Sequence, residues 1–151
     1  MNKKILNSFL KKSLFIKFIN FLMISGKKAQ AEKIFLTLLK NIKKYTKNNP
    51  IILLIFILKN ISPLLVLRTH KKRKISRIVP TPLTKKKQLL YGMHNLIKIS
   101  KKNLTKKMHK QLFDEIINIA NNKGNTIQYN QQIYNLAYEN KLLIKYNKKI
   151  N

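Results

Sequence analysis

Leu14, Phe15, Phe18, Ile19, Leu22 and Met23 stand three and four residues apart, the spacing that gathers one face of an α-helix, and Gly26 follows as a stop. Ala29, Ala31, Ile34, Phe35, Leu38, Leu39 and Ile42 repeat the pattern with lysines between them, which predicts a second amphipathic helix. The stretch TKNNP interrupts it. Asn49 is placed to cap and Pro50 to start a third helix over 50–60. Because 51–58 is apolar all round, that helix is expected to be the most buried.

Beyond Pro63 the period changes. LLVLRTH and ISRIVP are short runs rich in branched residues, joined by the basic link KKRK, which predicts a β-hairpin over 64–81 ended by Pro80 and Pro82. Helical spacing then resumes. Thr84 is placed to cap a fourth helix carrying Leu89, Leu90, Met93, Leu96 and Ile97, and Thr105 a fifth carrying Met108, Leu112, Phe113, Ile116, Ile117 and Ala120. NNKGN stops the fifth, and a last helix over roughly 129–146 uses Ile133, Leu136, Ala137, Leu143 and Ile144. The expected fold is mainly α: one domain over 1–151, six helices, with a protruding basic β-hairpin between the third and fourth.

Composition bears on what such a fold could do. The chain carries 33 Lys and Arg against 4 Asp and Glu, a formal net charge of +29. Glu32, Asp114, Glu115 and Glu139 cannot neutralise it, and self-repulsion should weaken the compact state without a polyanionic partner. Nucleic acid is the leading candidate and an anionic membrane surface the second. The longest apolar run, IILLIFIL, is under half the roughly 20 residues a bilayer span needs, so no membrane span is expected, and with nucleic acid leading no membrane is expected among the partners. The chain has no cysteine, which excludes disulfides and thiolate metal sites. Lys, Asn, Ile, Leu, Phe and Tyr dominate, the residues of A/T-rich codons, as in an organelle or a reduced endosymbiont.

Catalysis finds no support. Asp114 and Glu115 are adjacent on one helix rather than opposed, and with Glu139 they are expected to pair with nearby lysines. His70, His94 and His109 lie in separate elements without metal-ligand spacing. There is no phosphate-cradling glycine loop and no nucleophile elbow. No enzyme activity, cofactor or metal is expected.

The cations are the remaining candidates. Lys3, Lys4, Lys11, Lys12, Lys27, Lys28, Lys71, Lys72, Lys85, Lys86, Lys87, Lys101, Lys102, Lys106 and Lys107 form clusters, several at helix ends, where ammonium groups and unpaired backbone N–H groups can address phosphates together. A charge run is more often a solvated face; here the near-absence of acids favours phosphate contact. Arg68, Arg73 and Arg77 are the only arginines, and all fall in the hairpin beside Lys74. Guanidinium forks match phosphates and base edges and stack on bases, which ammonium groups do not. The competing reading is an edge strand kept charged against aggregation.

Five stretches together resemble a known family. FINFLMISGKKAQAEKI, NPIILLIFILKNISPLLVLR, IVPTPL, MHKQLFDEIINIANNKGN and AYENKLLIKYNKK occur in the order and spacing of small-subunit ribosomal protein seven, over about residues 14–149. The resemblance implies six helices with a long hairpin between the third and fourth. It implies binding of small-subunit rRNA in the head (the 3′ major domain), nucleation of head assembly, and contacts with neighbouring head and platform proteins. It further implies that the hairpin and last helix line the mRNA exit and E-site tRNA region. By position, Lys27, Lys28, Arg68, Lys86, Lys87 and Lys123 match rRNA-contacting places, with Arg77 in the same arm. Arg73, Lys74, Lys145, Tyr146 and Lys148 fall where mRNA or tRNA is faced. The family's hairpin tip carries glycines where this chain has Arg73 and Lys74, and its N-terminal basic arm is longer than the thirteen or so residues expected before the first helix here. Composition and resemblance together point to a mitochondrial member, with a plastid-type organelle or an AT-rich endosymbiont as the alternative.

Overall fold

The computed structural model describes residues 3–46, 49–72, 75–102 and 107–143, with side chains over 13–46, 49–71, 76–102 and 107–142. In order, these form α1 (Lys3–Leu22), α2 (Lys28–Thr46), α3 (Pro50–Asn60), β1 (Leu65–Lys72), β2 (Ile75–Pro82), α4 (Lys85–Ser100), α5 (Met108–Ala120) and α6 (Asn125–Glu139), then a 3-10 turn at Lys141–Leu143. The expected architecture of six helices with an antiparallel hairpin between α3 and α4 is the one found. The first helix begins earlier than expected, because 3–13 contains neither Gly nor Pro to stop it.

One apolar cluster joins the first five helices: Phe18 and Leu22 of α1, Phe35, Leu38 and Ile42 of α2, Leu54, Ile57 and Leu58 of α3, Met93 and Leu96 of α4, and Leu112, Ile116 and Ile119 of α5. Phe35 packs against Phe15 and Phe18 at centroid separations of 5.6 and 5.5 Å. Such tilted ring pairs add about 0.5–1.5 kcal/mol beyond their buried area. α5 is central, touching α2, α3, α4 and α6.

α3 is not the most buried helix. Leu54, Ile57 and Leu58 are buried, yet Ile52 and Phe56 are 61% and 56% exposed. Neighbours cover one side of this 11-residue helix, and its all-round apolarity carries no record of which side. Its start is as expected: Asn49 Oδ1 accepts from the Ile51 N–H at 3.1 Å, and Pro50 occupies the first turn. The other two expected caps differ. Thr84 is the N-cap residue of α4 but its hydroxyl makes no capping hydrogen bond, and Lys107 rather than Thr105 stands at the N-cap of α5; Thr105 lies outside the described residues.

The hairpin is longer than its branched runs suggest. Pairing runs from Leu65 opposite Pro82 to Lys72 opposite Ile75, so two residues, not four, join the strands. Of the two prolines expected to end β2, Pro82 is its last residue and Pro80 lies within it. The Leu83 N–H donates to Leu64 O at 2.9 Å, which makes the Leu65–Pro82 and Leu67–Pro80 pairs the non-hydrogen-bonded ones. Their missing N–H groups face outward, where no partner strand needs them.

α6 departs from its expected span at both ends, beginning four residues earlier and giving way to the 3-10 turn after Glu139. Its start is fixed from outside. α5 ends with Asn122 in the left-handed region (φ 57°) and the Lys123 N–H donating to Asn118 O at 2.8 Å. Gly124 then passes so close to α5 that a Cβ would overlap the Ile119 side chain. Next, the Thr126 N–H and hydroxyl both donate to Glu115 Oε1, at 2.8 and 2.9 Å. A buried carboxylate of α5 thus caps α6, where the helix dipole favours negative charge. Glu115 is therefore not the lysine-paired surface acid expected. The stripe that α6 buries is Thr126, Asn130 and Ala137, with Tyr134 half-buried, while Leu136 is 45% exposed. Leu143 and Ile144 fall outside the described side chains.

Candidate nucleic-acid interface

The lysine clusters collect at helix ends as expected. Lys27 and Lys28 open α2, Lys85, Lys86 and Lys87 form the first turn of α4, Lys107 is the N-cap residue of α5, and Lys123 immediately precedes the N-cap of α6. All seven are exposed. None of the six helices has an acid in its first turn. Cations beside the positive end of a helix are mutually unfavourable in the isolated protein by about 0.3–1 kcal/mol each. The same placement points ammonium and backbone N–H groups together at an incoming phosphate. Lys28 lies 4.0 Å from Glu32, but both side chains are well exposed, so this ion pair competes weakly with a polyanion.

Lys101 and Lys102 close the other end of α4. Lys102 lies on the rim of a polar groove of about 230 Å³ lined also by Ile99, Asn125, Gln128, Tyr129 and Gln132. The sequence reading missed these α6 residues. The available signal was the lack of any Lys or Arg between Asn125 and Glu139 in so basic a chain.

Strand alternation sorts the hairpin cations onto two faces. Arg68 pairs with Val79 and His70 with Arg77, so Arg68, His70 and Arg77 share one face. Lys71, opposite Ser76, lies on the other with Ile78. Arg68, Lys71 and Arg77 are exposed, while near the body Val79 and Pro80 are buried. His70, which the sequence reading set aside, has its Nε2 shielded from solvent without a hydrogen-bond partner. Near the end of α6, the Lys141 ammonium sits 4.2 Å from the centre of the exposed Tyr138 ring.

Several expected contact residues are not placed. Lys3, Lys4, Lys11 and Lys12 belong to α1, and Lys72 to β1, but their side chains lie outside those described. Arg73, Lys74, Lys106, Lys145, Tyr146 and Lys148 lie outside the described residues altogether. Among the described residues, no group of three or more His, Asp and Glu gathers to hold a metal, and no helix is long and apolar enough to cross a membrane.

Residues 2–141 match the family model of ribosomal protein S7p/S5e. The chain is 30% identical over 132 residues to the small ribosomal subunit protein uS7 of Bdellovibrio bacteriovorus, covering 87% of this chain and 84% of that protein. It is 32% identical over 130 residues to uS7 of Heliobacterium modesticaldum, with 86% and 83% covered. To uS7 of Onion yellows phytoplasma it is 29% identical over 133 residues, with 88% and 85% covered. The chain belongs to the ribosomal protein S7 family of the small ribosomal subunit.

Proposed function

We propose that this S7 family member binds folded rRNA in the head of the small subunit, nucleates assembly of that domain, and presents its hairpin and last helix to mRNA and E-site tRNA beside neighbouring head and platform proteins. The observation that carries the reading is the placement of exposed lysines at the starts of α2, α4, α5 and α6, none of which has an acid in its first turn. At α2, α4 and α5 such an end offers a phosphate both an ammonium and oriented N–H groups, whereas at α6 Glu115 already accepts the Thr126 N–H and Lys123 brings its ammonium. The fixed geometry of the helical body supplies shape selection, since A-form RNA is read by shape and backbone more than through its major groove.

Contacts follow from position. Lys27, Lys28, Lys85, Lys86, Lys87, Lys107 and Lys123 neutralise rRNA phosphates around the body, while Arg68 and Arg77 bring guanidinium forks to RNA along one hairpin face. We also place the ribosome concerned in an A/T-rich genetic compartment, a mitochondrion foremost and otherwise a plastid-type organelle or endosymbiont. Support for that placement comes from the Lys-, Asn- and Ile-rich composition.

The test is a salt titration of the purified chain against a transcript of the small-subunit 3′ major domain. Neutralising Z phosphates gives a log–log slope of about −0.9Z for a duplex and about −0.7Z for single strands, so a slope of several is expected. Binding that ignores salt, or equal affinity for duplex DNA, would defeat the proposal.

A further inference from the structure

We infer that the hairpin is aimed by a buried polar clamp at its root, in which Asn130 and Tyr134 of α6, with Gly92 and Asn95 of α4, fix the link between α3 and β1. The link comprises Ile61, Ser62, Pro63 and Leu64. Asn130 Nδ2 donates to Ile61 O at 2.8 Å, and Asn95 Nδ2 approaches Asn130 Oδ1 at 3.4 Å. At the far end of the link, the Leu64 N–H donates to the Tyr134 hydroxyl at 3.1 Å. Gly92 lets the link lie against α4, because a Cβ there would stand 3.3 Å from Ser62 Cα and 3.4 Å from Ile61 O. The link is thus held at both ends by α6 and along one side by α4.

A two-stranded ribbon needs such a device. The ladder between β1 and β2 sets the shape of the hairpin but says nothing about its direction from the body, which depends on the backbone angles of the link. Asn95 and Asn130 are 6% and 7% exposed, in places where apolar side chains would otherwise complete the core. A fully satisfied buried amide network specifies one geometry where apolar packing tolerates several. α6 also reaches both strands, through its own contact with β1 and through the 3-10 turn against β2. Hairpin and last helix therefore move as one arm. That this arm directs Arg68 and Arg77 onto particular nucleotides rests on the RNA-binding reading above; the clamp itself does not. All four are positioning residues.

The absence of cysteine makes the arm measurable, since Ser76→Cys on β2 and Asn118→Cys on α5, both exposed in the parent, take a unique spin-label pair. The full chain in sulfate buffer should give one narrow distance distribution. Tyr134→Phe and Asn130→Ala together should widen it roughly twofold by freeing the link. Gly92→Ala, acting sterically, should shift its mean. Thr81→Val removes a hydrogen bond to Val66 O inside the hairpin, 3.1 Å long, and should change neither width nor mean. A parent distribution that is already broad would overturn the clamp. So would distributions unchanged in Tyr134→Phe and Gly92→Ala proteins of parental helicity; these two variants decide if Asn130→Ala fails to fold. In the rRNA complex, a cleavage reagent tethered at Ser76→Cys should strike displaced nucleotides in the clamp variants, while one at Asn118→Cys keeps its pattern. Loss of cleavage from both sites would count against RNA binding, and the spin labels would still judge the clamp.

Discussion

The root and the outer part of the hairpin are built on opposite principles. At the root, Pro63, Val79, Pro80 and Leu83 are buried, and α6 supplies hydrogen bonds to the α3–β1 link through Tyr134 and Asn130. Further out, Arg68, Thr69, Lys71, Ser76 and Arg77 face solvent, and among the described residues the two strands have no third strand to lean on. The root commits polar groups to geometry; the outer part exposes cations at the surface. Stability and ligand affinity should therefore separate along one hairpin, with the first decided near residue 61 and the second near residues 68–77.

The largest effect should come at the root. Ile61 is fully buried in the core cluster, so Ile61→Ala should cost about 2–5 kcal/mol and lower the urea midpoint in sulfate buffer, while the salt slope for rRNA stays at its parental value. Thr126→Val comes next. It takes a hydroxyl donor from the buried Glu115 carboxylate at the start of the helix that holds the root, which should cost about 1–3 kcal/mol in the same assay. The smallest change in stability should come from Arg68→Ala with Arg77→Ala, within about 0.5 kcal/mol. That pair should nonetheless reduce the magnitude of the rRNA salt slope by roughly one unit for each phosphate no longer neutralised. The lysine pair Arg68→Lys with Arg77→Lys should keep the slope and lose affinity through the missing forks. If Ile61→Ala altered the slope, or the arginine pair the midpoint, root and outer part would not be separate in function.

How legible each element was depends on what its buried face is made of. Leu112 and Ile116 fall on an apolar period of α5, and both are in the core. On α6 the same method selects Ile133, Leu136 and Ala137; Ala137 is buried, but so are the polar Thr126 and Asn130, while Leu136 is 45% exposed. A helix held largely through a carboxylate, a carbonyl and an amide carries only a weak apolar period. The candidate interface divides likewise. Lysine clusters at helix ends were legible because caps and charge runs are local, whereas the shared face of Arg68, His70 and Arg77 required the strand register.

By itself, the sequence determined what local chemistry and composition can encode: six helices, a hairpin between the third and fourth, the Asn49–Pro50 start of α3, and a charge of +29 that a polyanion would offset most simply. Five stretches in register were enough to indicate the family. Tertiary structure alone decided which side of the uniformly apolar α3 is covered, where α6 begins, and what Glu115, Asn95, Asn130 and Gly92 are for. The physical reason is the same in each case. These features depend on groups brought together across 11 to 69 positions of chain, and neither periodicity nor capping preference reaches that far.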